Sequence, residues 1–362
     1  MKGSVVYLYA FDVAGEIRSA LVTRVLSRSP EPFQIRVGGT VPRDVPFYRP
    51  LTVRLPQEEA DSSVGRIRLA PVVKIFDVGV VSISYEVPFE VDKLADLVPY
   101  HQLRLGSRTL TEWAEDLCAQ VAAELRPFMD RPTADRPPAE AYTVFCLSDV
   151  QGDAEAWVRS RGGEVAGLLN EEPDPGRLAA SQVEETLSQA LSYTRDDVVV
   201  VDWDAALVVD RSGYYDDVLY VIELANLQLE EFRLLDDRLD RLFLEAYEDL
   251  DEYYRRRSLF HRTEKRMRAL RSIRMDITKM SEELSNITKF VGDWYLARVY
   301  LACKDRFHLG HWEASVDTKL LELDRLYSLV HQEINERRML VLEATIVALF
   351  LLDLAAIFLF KG

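Results

Sequence analysis

The chain is poor in cysteine: Cys118, Cys146 and Cys303 are the three in 362 residues, and no two form a C-x-x-C pair. Neither a disulfide framework nor a cysteine zinc site is indicated, which fits a reducing compartment. Positive charge is also short, with 44 Lys and Arg against 60 Asp and Glu and a net charge of −16. That balance argues against general nucleic-acid affinity and leaves room only for a local basic patch. The N-terminus has no small-residue cleavage site, and Asp12 and Glu16 follow its short apolar run, so neither a signal peptide nor an Arg-rich transit sequence is expected. No glycine-rich phosphate loop, nucleophile elbow or HExxH motif occurs. No cofactor, metal or catalytic residue is therefore predicted.

One long hydrophobic run is present, Met339 to Phe360, interrupted by Glu343 and Asp353. At ~1.5 Å per residue a helix of this length spans roughly 33 Å, the thickness of a bilayer core. The expectation is a single C-terminal transmembrane anchor at 339–360. Arg337 and Arg338 precede the run and only Lys361 follows it, which places the N-terminal bulk in the cytoplasm at an inner membrane.

Upstream, the pattern predicts an α+β fold: a mixed sheet and helix N-terminal domain, a long α-helical coiled-coil hairpin, and the anchor. Residues 1–129 form the first α+β part, with VVYLYAF, ALVTRVL, FQIRV, PLTVRL and RIRLAPVVKIF as strands and a hairpin at 72–87 turning on Asp77-Val78-Gly79. Thr109-Leu-Thr-Glu112 reads as a capping box that starts a helix ending by Pro127. A proline-rich linker covers 130–141. A second α/β part, 142–215, carries the strand YTVFCL, a helix over Gln182 to Leu191 and a hairpin at 198–209 around Asp202-Trp203-Asp204. Hairpins at both ends favour an α+β sandwich over a doubly wound sheet.

From 216 to 338 apolar residues recur at three- and four-residue spacing in three series, beginning at Leu235, Leu270 and Val316, as in a coiled-coil seam. Phe307-His308-Leu309-Gly310 is the predicted turn before the third, with Gly310 allowing the reversal. Asp305, His308 and His311 are three apart, but the turn between them argues against a metal site.

The C-terminal stretch FHLGHWEASVDTKLLELDRLYSLVHQEINERRMLVLE resembles the family called "required for meiotic nuclear division", found in bacteria and mitochondria. The resemblance rests on Phe307-His308, Trp312, Leu320 to Tyr327, Arg337-Arg338, Leu342-Glu343 and the second acid Asp353. It covers roughly residues 285 to 360 and, more weakly, the hairpin VVKIFDVGVVSISYEV. The family's ISHALAQS-like segment is only partly matched by LSQALSYTRDDVVVVDWDAALVVD, which suggests a divergent member. The resemblance implies a membrane-anchored, oligomeric accessory protein without enzymatic activity, and for mitochondrial members a role in holding ribosomes near the membrane.

Two sets of side chains stand out. Glu343 and Asp353 sit inside the apolar run about 80° apart on a helix, so both can enter one oligomer interface. Arg255, Arg256, Arg257, Arg262, Lys265, Arg266, Arg268, Arg271 and Arg274 form a local basic stretch with Glu264 as its one acid. With Arg337 and Arg338 they are expected at anionic lipid headgroups, the alternative being RNA or ribosome contact. The favoured reading is a non-enzymatic, tail-anchored homo-oligomeric scaffold. A membrane tether for ribosomes and an enzyme using Asp202 and Asp204 are the alternatives.

Overall fold

The computed structural model describes residues 1–33, 50–133, 138–256, 275 and 294–360, with the backbone alone at 249–256, 329–331, 333–335, 337–338 and 353–360. The chain divides into two compact units, Met1–Leu234 with Met280–Trp312, and Leu235–Lys279 with Glu313–Gly362.

The first unit is built on β1 (Lys2–Asp12), whose segment Val5 to Phe11 has no polar side. Val5, Tyr7, Tyr9 and Phe11 point to one face, and Val6, Leu8 and Ala10, equally buried, to the other. A strand apolar at both phases of its two-residue repeat has to be covered on both faces. In chain order the further strands are β2 (Ala14–Ile17), β3 (Glu31–Pro32), β4 (Leu51–Arg54), β5 (Glu58–Ser62), β6 (Gly65–Ile75), β7 (Val80–Glu90), β8 (Arg104–Leu105) and β9 (Arg108–Thr109). They continue with β10 (Met129–Pro132), β11 (Glu140–Leu147), β12 (Ala190–Leu191), β13 (Asp197–Val201) and β14 (Ala205–Asp210). Twelve of them form one mixed sheet in the order β12-β13-β14-β11-β1-β7-β6-β5-β8-β9, with β4 also on β6 and β3 on β4. β11 and β14 run parallel, joined through α2 (Ala154–Ser160), α3 (Gly162–Leu169) and α4 (Ala180–Leu187). The other pairs are antiparallel.

The face carrying Val5 and Tyr7 is covered by the 3-10 segment Leu94–Gln102, α1 (Leu110–Leu125), α2 and α3. α1 starts as its capping box requires: Glu112 N–H donates to Thr109 Oγ1 at 3.3 Å and Thr109 N–H to Glu112 Oε2 at 2.7 Å. The opposite face is covered by the first turns of α5 (Asp216–Arg256) and by α6 (Trp294–Arg306). Asn226 donates to Glu140 O, and Phe307 meets Tyr142 edge to face at 5.0 Å. The sheet is thus a single layer between helices rather than one half of a sandwich. Sequence periodicity assigns everything after 216 to a coiled coil, whereas Tyr220 to Glu230 is buried against this sheet.

Three local readings also change. ALVTRVL forms a 3-10 turn, Ser19–Leu21, and a bridge between Val25 and Arg28, because Leu26 and Ser27 take positive φ and close the chain on itself. FQIRV beyond Phe33 lies outside the described residues. The start of the proline-rich stretch is β10, paired with β2 through Asp130 and Glu16, with Arg131 at φ +49°. At the C-terminal reversal it is His308, at φ +52°, that turns the chain, while Gly310 lies inside α7 (Leu309–Phe360).

In the second unit α5 and α7 run parallel. Asp236 accepts from Ser315 Oγ at 3.2 Å and pairs with Lys319 at 2.8 Å, and Asp240 pairs with Lys319 at 2.6 Å. Leu235, Leu239 and Ala246 are buried, as are Val316, Leu320, Leu323 and Tyr327. Each fully covered aliphatic side chain contributes about 1.5–3 kcal/mol. The second apolar series, apart from Trp294, lies outside the described residues.

Among the described residues no helix is long and apolar enough to cross a membrane. This overturns the expected transmembrane anchor at 339–360, and with it the tail-anchored scaffold, the ribosome tether at a membrane and the inner-membrane location. α7 runs through this stretch to Phe360 and carries the exposed Glu343 within it.

The β6–β7 turn tests the fold. Gly79 has φ +94°, its N–H donates to Phe76 O at 3.1 Å, and a Cβ there would lie 1.9 Å from Ala14 O. Gly79→Ala is expected to cost at least about 2 kcal/mol in chemical denaturation, and Val78→Ala in the same turn far less.

Candidate functional site

The two aspartates flagged by sequence lie in the turn between β13 and β14, and the fold surrounds them with polar groups from five distant segments. Val198–Val201 and Ala205–Val209 are buried strand residues, so the chain has to reverse over Asp202-Trp203-Asp204 at the end of the sheet. Asp202 N–H donates to Ala205 O at 2.9 Å, and Tyr142 Oη donates to Asp202 O at 2.8 Å. Asp202 is 7% exposed and its carboxylate is saturated. Oδ2 accepts from Thr186 Oγ1 at 2.8 Å and Asn170 Nδ2 at 3.3 Å, while Oδ1 accepts from Trp203 N–H at 2.9 Å and faces Arg306 Nε at 3.6 Å.

Arg306 closes this network from the end of α6. Its guanidinium donates to Val201 O at 3.3 Å, to Glu185 Oε1 at 2.7 Å and to Glu185 O at 2.6 Å. Asn170 donates also to Ala166 O and Thr186 Oγ1 and accepts from Gln182. Asp202 accepts three hydrogen bonds and stands 3.6 Å from the Arg306 guanidinium, so it acts as a clasp between α3, α4, α6 and the sheet.

Asp204 differs. It is exposed, and its carboxyl is held above the usual range, first by partial desolvation and then by the charge of Glu171, with Arg233 pulling the other way. Glu171 sits just past α3 at φ +56° and faces His101 Nδ1 at 3.6 Å. The imidazole is buried on the ring of Phe145, centroids 4.9 Å apart, and its Nε2 meets Leu168 O at 2.7 Å. Burial lowers its pKa from 6.5, against the raising effects of the Leu168 hydrogen bond, Glu171 and Asp204. Nearby, Glu140 pairs with Arg233, which lies 5.9 Å over the ring of Trp312, and burial raises the Glu140 carboxyl despite that partner. Trp203 is half exposed beside His308, with ring centroids 5.2 Å apart. Within this set the Asp204 carboxyl is shifted upward and the His101 ring downward. Asp305 is engaged by Gln189 at 2.9 Å, and among the described residues no three His, Cys, Asp or Glu side chains are grouped to hold a metal ion. The three thiols are buried and shifted upward by burial, Cys118 to about 12, which makes them poor nucleophiles.

Sequence reasoning finds Asp202 and Asp204 but not His101, Asn170, Glu171, Thr186 or Arg306. Their separations from Asp202 in the chain run up to about a hundred residues and no motif links them. Of the other residues singled out, Glu343 is exposed on α7. Arg255, Arg256, Arg337, Arg338 and Asp353 are helical, with side chains outside the description. Arg257, Arg262, Lys265, Arg266, Arg268, Arg271 and Arg274 lie outside the described residues.

Thr186→Val removes one donor from a buried carboxylate at nearly constant volume. It is expected to cost about 1–3 kcal/mol in denaturant unfolding, whereas Ser188→Ala on the exposed side of the same segment should change stability by less than about 1 kcal/mol.

Comparison with known proteins gives a relative for this unit. No solved structure matches. The uncharacterized protein MJ0711 of Methanocaldococcus jannaschii is 24% identical over 239 residues, 66% of this chain and 72% of that protein. Nothing in these comparisons links the chain to the meiotic nuclear division proteins. Residues 2–216 match the family described as the N-terminal domain of uncharacterized protein MJ0711, a span that includes His101, Asn170, Glu171, Thr186, Asp202 and Asp204 but not Arg306 or α7. The chain belongs to that family.

Proposed function

We propose that the protein is non-enzymatic and assembles with copies of itself through the end of α7. The observation that supports this reading is the exposure of a continuous apolar helix: Leu340, Val341, Leu342, Ile346, Val347, Leu349, Phe350, Leu351 and Leu352 are each 57–67% exposed. These positions leave no polar stripe. A helix apolar on all sides is stable in water when neighbours cover it.

The pairing of α5 with α7 sets the side on which the contact surface lies. Asp236 is level with Ser315 and Lys319. The described part of α5 runs to Arg256, about 30 Å further along, level with roughly residue 338 of the parallel α7. The buried row Val316, Leu320, Leu323, Tyr327 is carried forward on the same side by Val341, Thr345, Ala348 and Leu352, so the contact surface between copies continues the α5–α7 seam. The remaining apolar faces favour several helices over two.

Light scattering after size exclusion tests this reading. The full chain is expected to elute as an oligomer, and Leu342→Glu with Leu349→Glu as a monomer with unchanged circular dichroism. Because each copy carries −16, added salt should strengthen assembly by screening repulsion. A wild-type chain that stays monomeric at high concentration and high salt would overturn the proposal.

A further inference from the structure

We infer that His101 and Glu171 form a pH-sensitive latch between the 3-10 segment Leu94–Gln102 and the C-terminal end of α3, and that acid releases it. The latch is independent of assembly through α7. Its geometry is specific. A carbonyl oxygen only accepts, so the 2.7 Å contact between Nε2 and Leu168 O places the ring proton on Nε2. Leu168 O is one of the last carbonyls of α3 and accepts from backbone N–H groups just past the helix, that of Glu171 at 3.4 Å among them. The imidazole adds a side-chain donor from a segment 67 residues away in the chain.

With Nε2 protonated, Nδ1 of the neutral ring presents a lone pair toward Glu171 Oε1 at 3.6 Å. The charged groups that face the ring are Glu171, from the loop after α3, and Asp204, from the β13–β14 turn. The neighbour on β11 is the apolar ring of Phe145. A second proton would therefore enter at Nδ1, toward two carboxylates, but inside a site where the His101 side chain is 3% exposed. Desolvation is the largest influence on the ring and outweighs the two carboxylates, so its folded-state value lies below 6.5.

The sign of the linkage follows. The released ring, in water, binds a proton at its ordinary value, and the latched ring binds it only at lower pH. The latched state is fully favoured above 6.5 and loses ground as pH falls from 6.5 toward the lowered value. Within that window the ratio of released to latched molecules rises by up to about tenfold per pH unit. Release frees one side of a segment otherwise tied by the Tyr7 hydroxyl to Tyr100 O at 2.6 Å and by Gln102 Nε2 to Glu171 Oε2 at 3.2 Å.

The full chain labelled with 13C-histidine tests the latch directly. The ring resonance that disappears in His101→Gln should titrate with a midpoint below 6.5. Amide exchange in peptides covering 94–102 and 162–171, corrected for intrinsic rates, should accelerate as pH drops below 6.5. A glutamine side-chain amide can still donate to Leu168 O, so His101→Gln should keep the protection seen at neutral pH and lose its acid dependence. Glu171→Gln leaves the ring in place and removes a carboxylate that favours the cation. It should lower the midpoint further and make exchange more acid-sensitive. A midpoint at or above 6.5, or an exchange profile in His101→Gln that still follows pH, would overturn the inference.

Discussion

Burial of β1 on both faces is the constraint from which the first unit follows. One face is closed by elements that come before β12: the 3-10 segment, α1, α2 and α3. The other has to wait until the chain leaves β14, when α5 and then α6 are laid over it. The helix that closes it cannot be amphipathic, and Tyr220 to Glu230 is buried at every position. Its polar residues survive because each meets a group already fixed on the sheet or on α6. Glu223 lies between Lys74 and the hydroxyl of Ser82, which donates at 2.6 Å, Asn226 donates to Glu140 O, and Gln228 accepts from Tyr300. Lys74, Ser82 and Thr52 stand opposite one another on β6, β7 and β4, so the ion pair under α5 depends on strand register. A one-residue slip would turn all three to the other face and strand Glu223.

The same dependence explains what could be read from the chain and what could not. The β6–β7 hairpin is local: two alternating runs and a glycine at φ +94° suffice. The Thr109–Glu112 box and the Asp202 hairpin are local in the same sense. By contrast, the polar set at the Asp202 turn is assembled from the 3-10 segment, α3, α4, β11 and α6, and His101 is adjacent to Leu168 only because the Leu94–Gln102 segment packs beside α3. A lone histidine after Val98-Pro99-Tyr100 carries no signature of that contact. Nor does a three-and-four periodicity reveal what it faces. Leu235 and Leu239 lie in the helical pair of the second unit, while the same pattern a few turns earlier covers a sheet.

Apolar length misleads for a related reason. A run such as Met339 to Phe360 has the composition of a membrane span, and composition alone does not distinguish lipid from other apolar surroundings. What the described part of the helix shows is exposed apolar side chains from Met339 to Leu352. The register between the two parallel helices is set by Asp236 and Asp240 gripping Lys319, and that register is invisible until the pairing is known.

The two charged networks therefore carry different burdens. Around Asp202 and Arg306, two largely buried side chains are tied by hydrogen bonds to α4 and the sheet, so their value lies in specificity: they fix where α6 ends and which way the β13–β14 turn faces. Around Asp204, Glu171 and His101, charge is left partly in water and one ring nitrogen is left without a proton. In the second network a single proton on the His101 ring changes the balance at the contact of the 3-10 segment with α3, while the Asp202 clasp ties α3, α4 and α6 to the same end of the sheet.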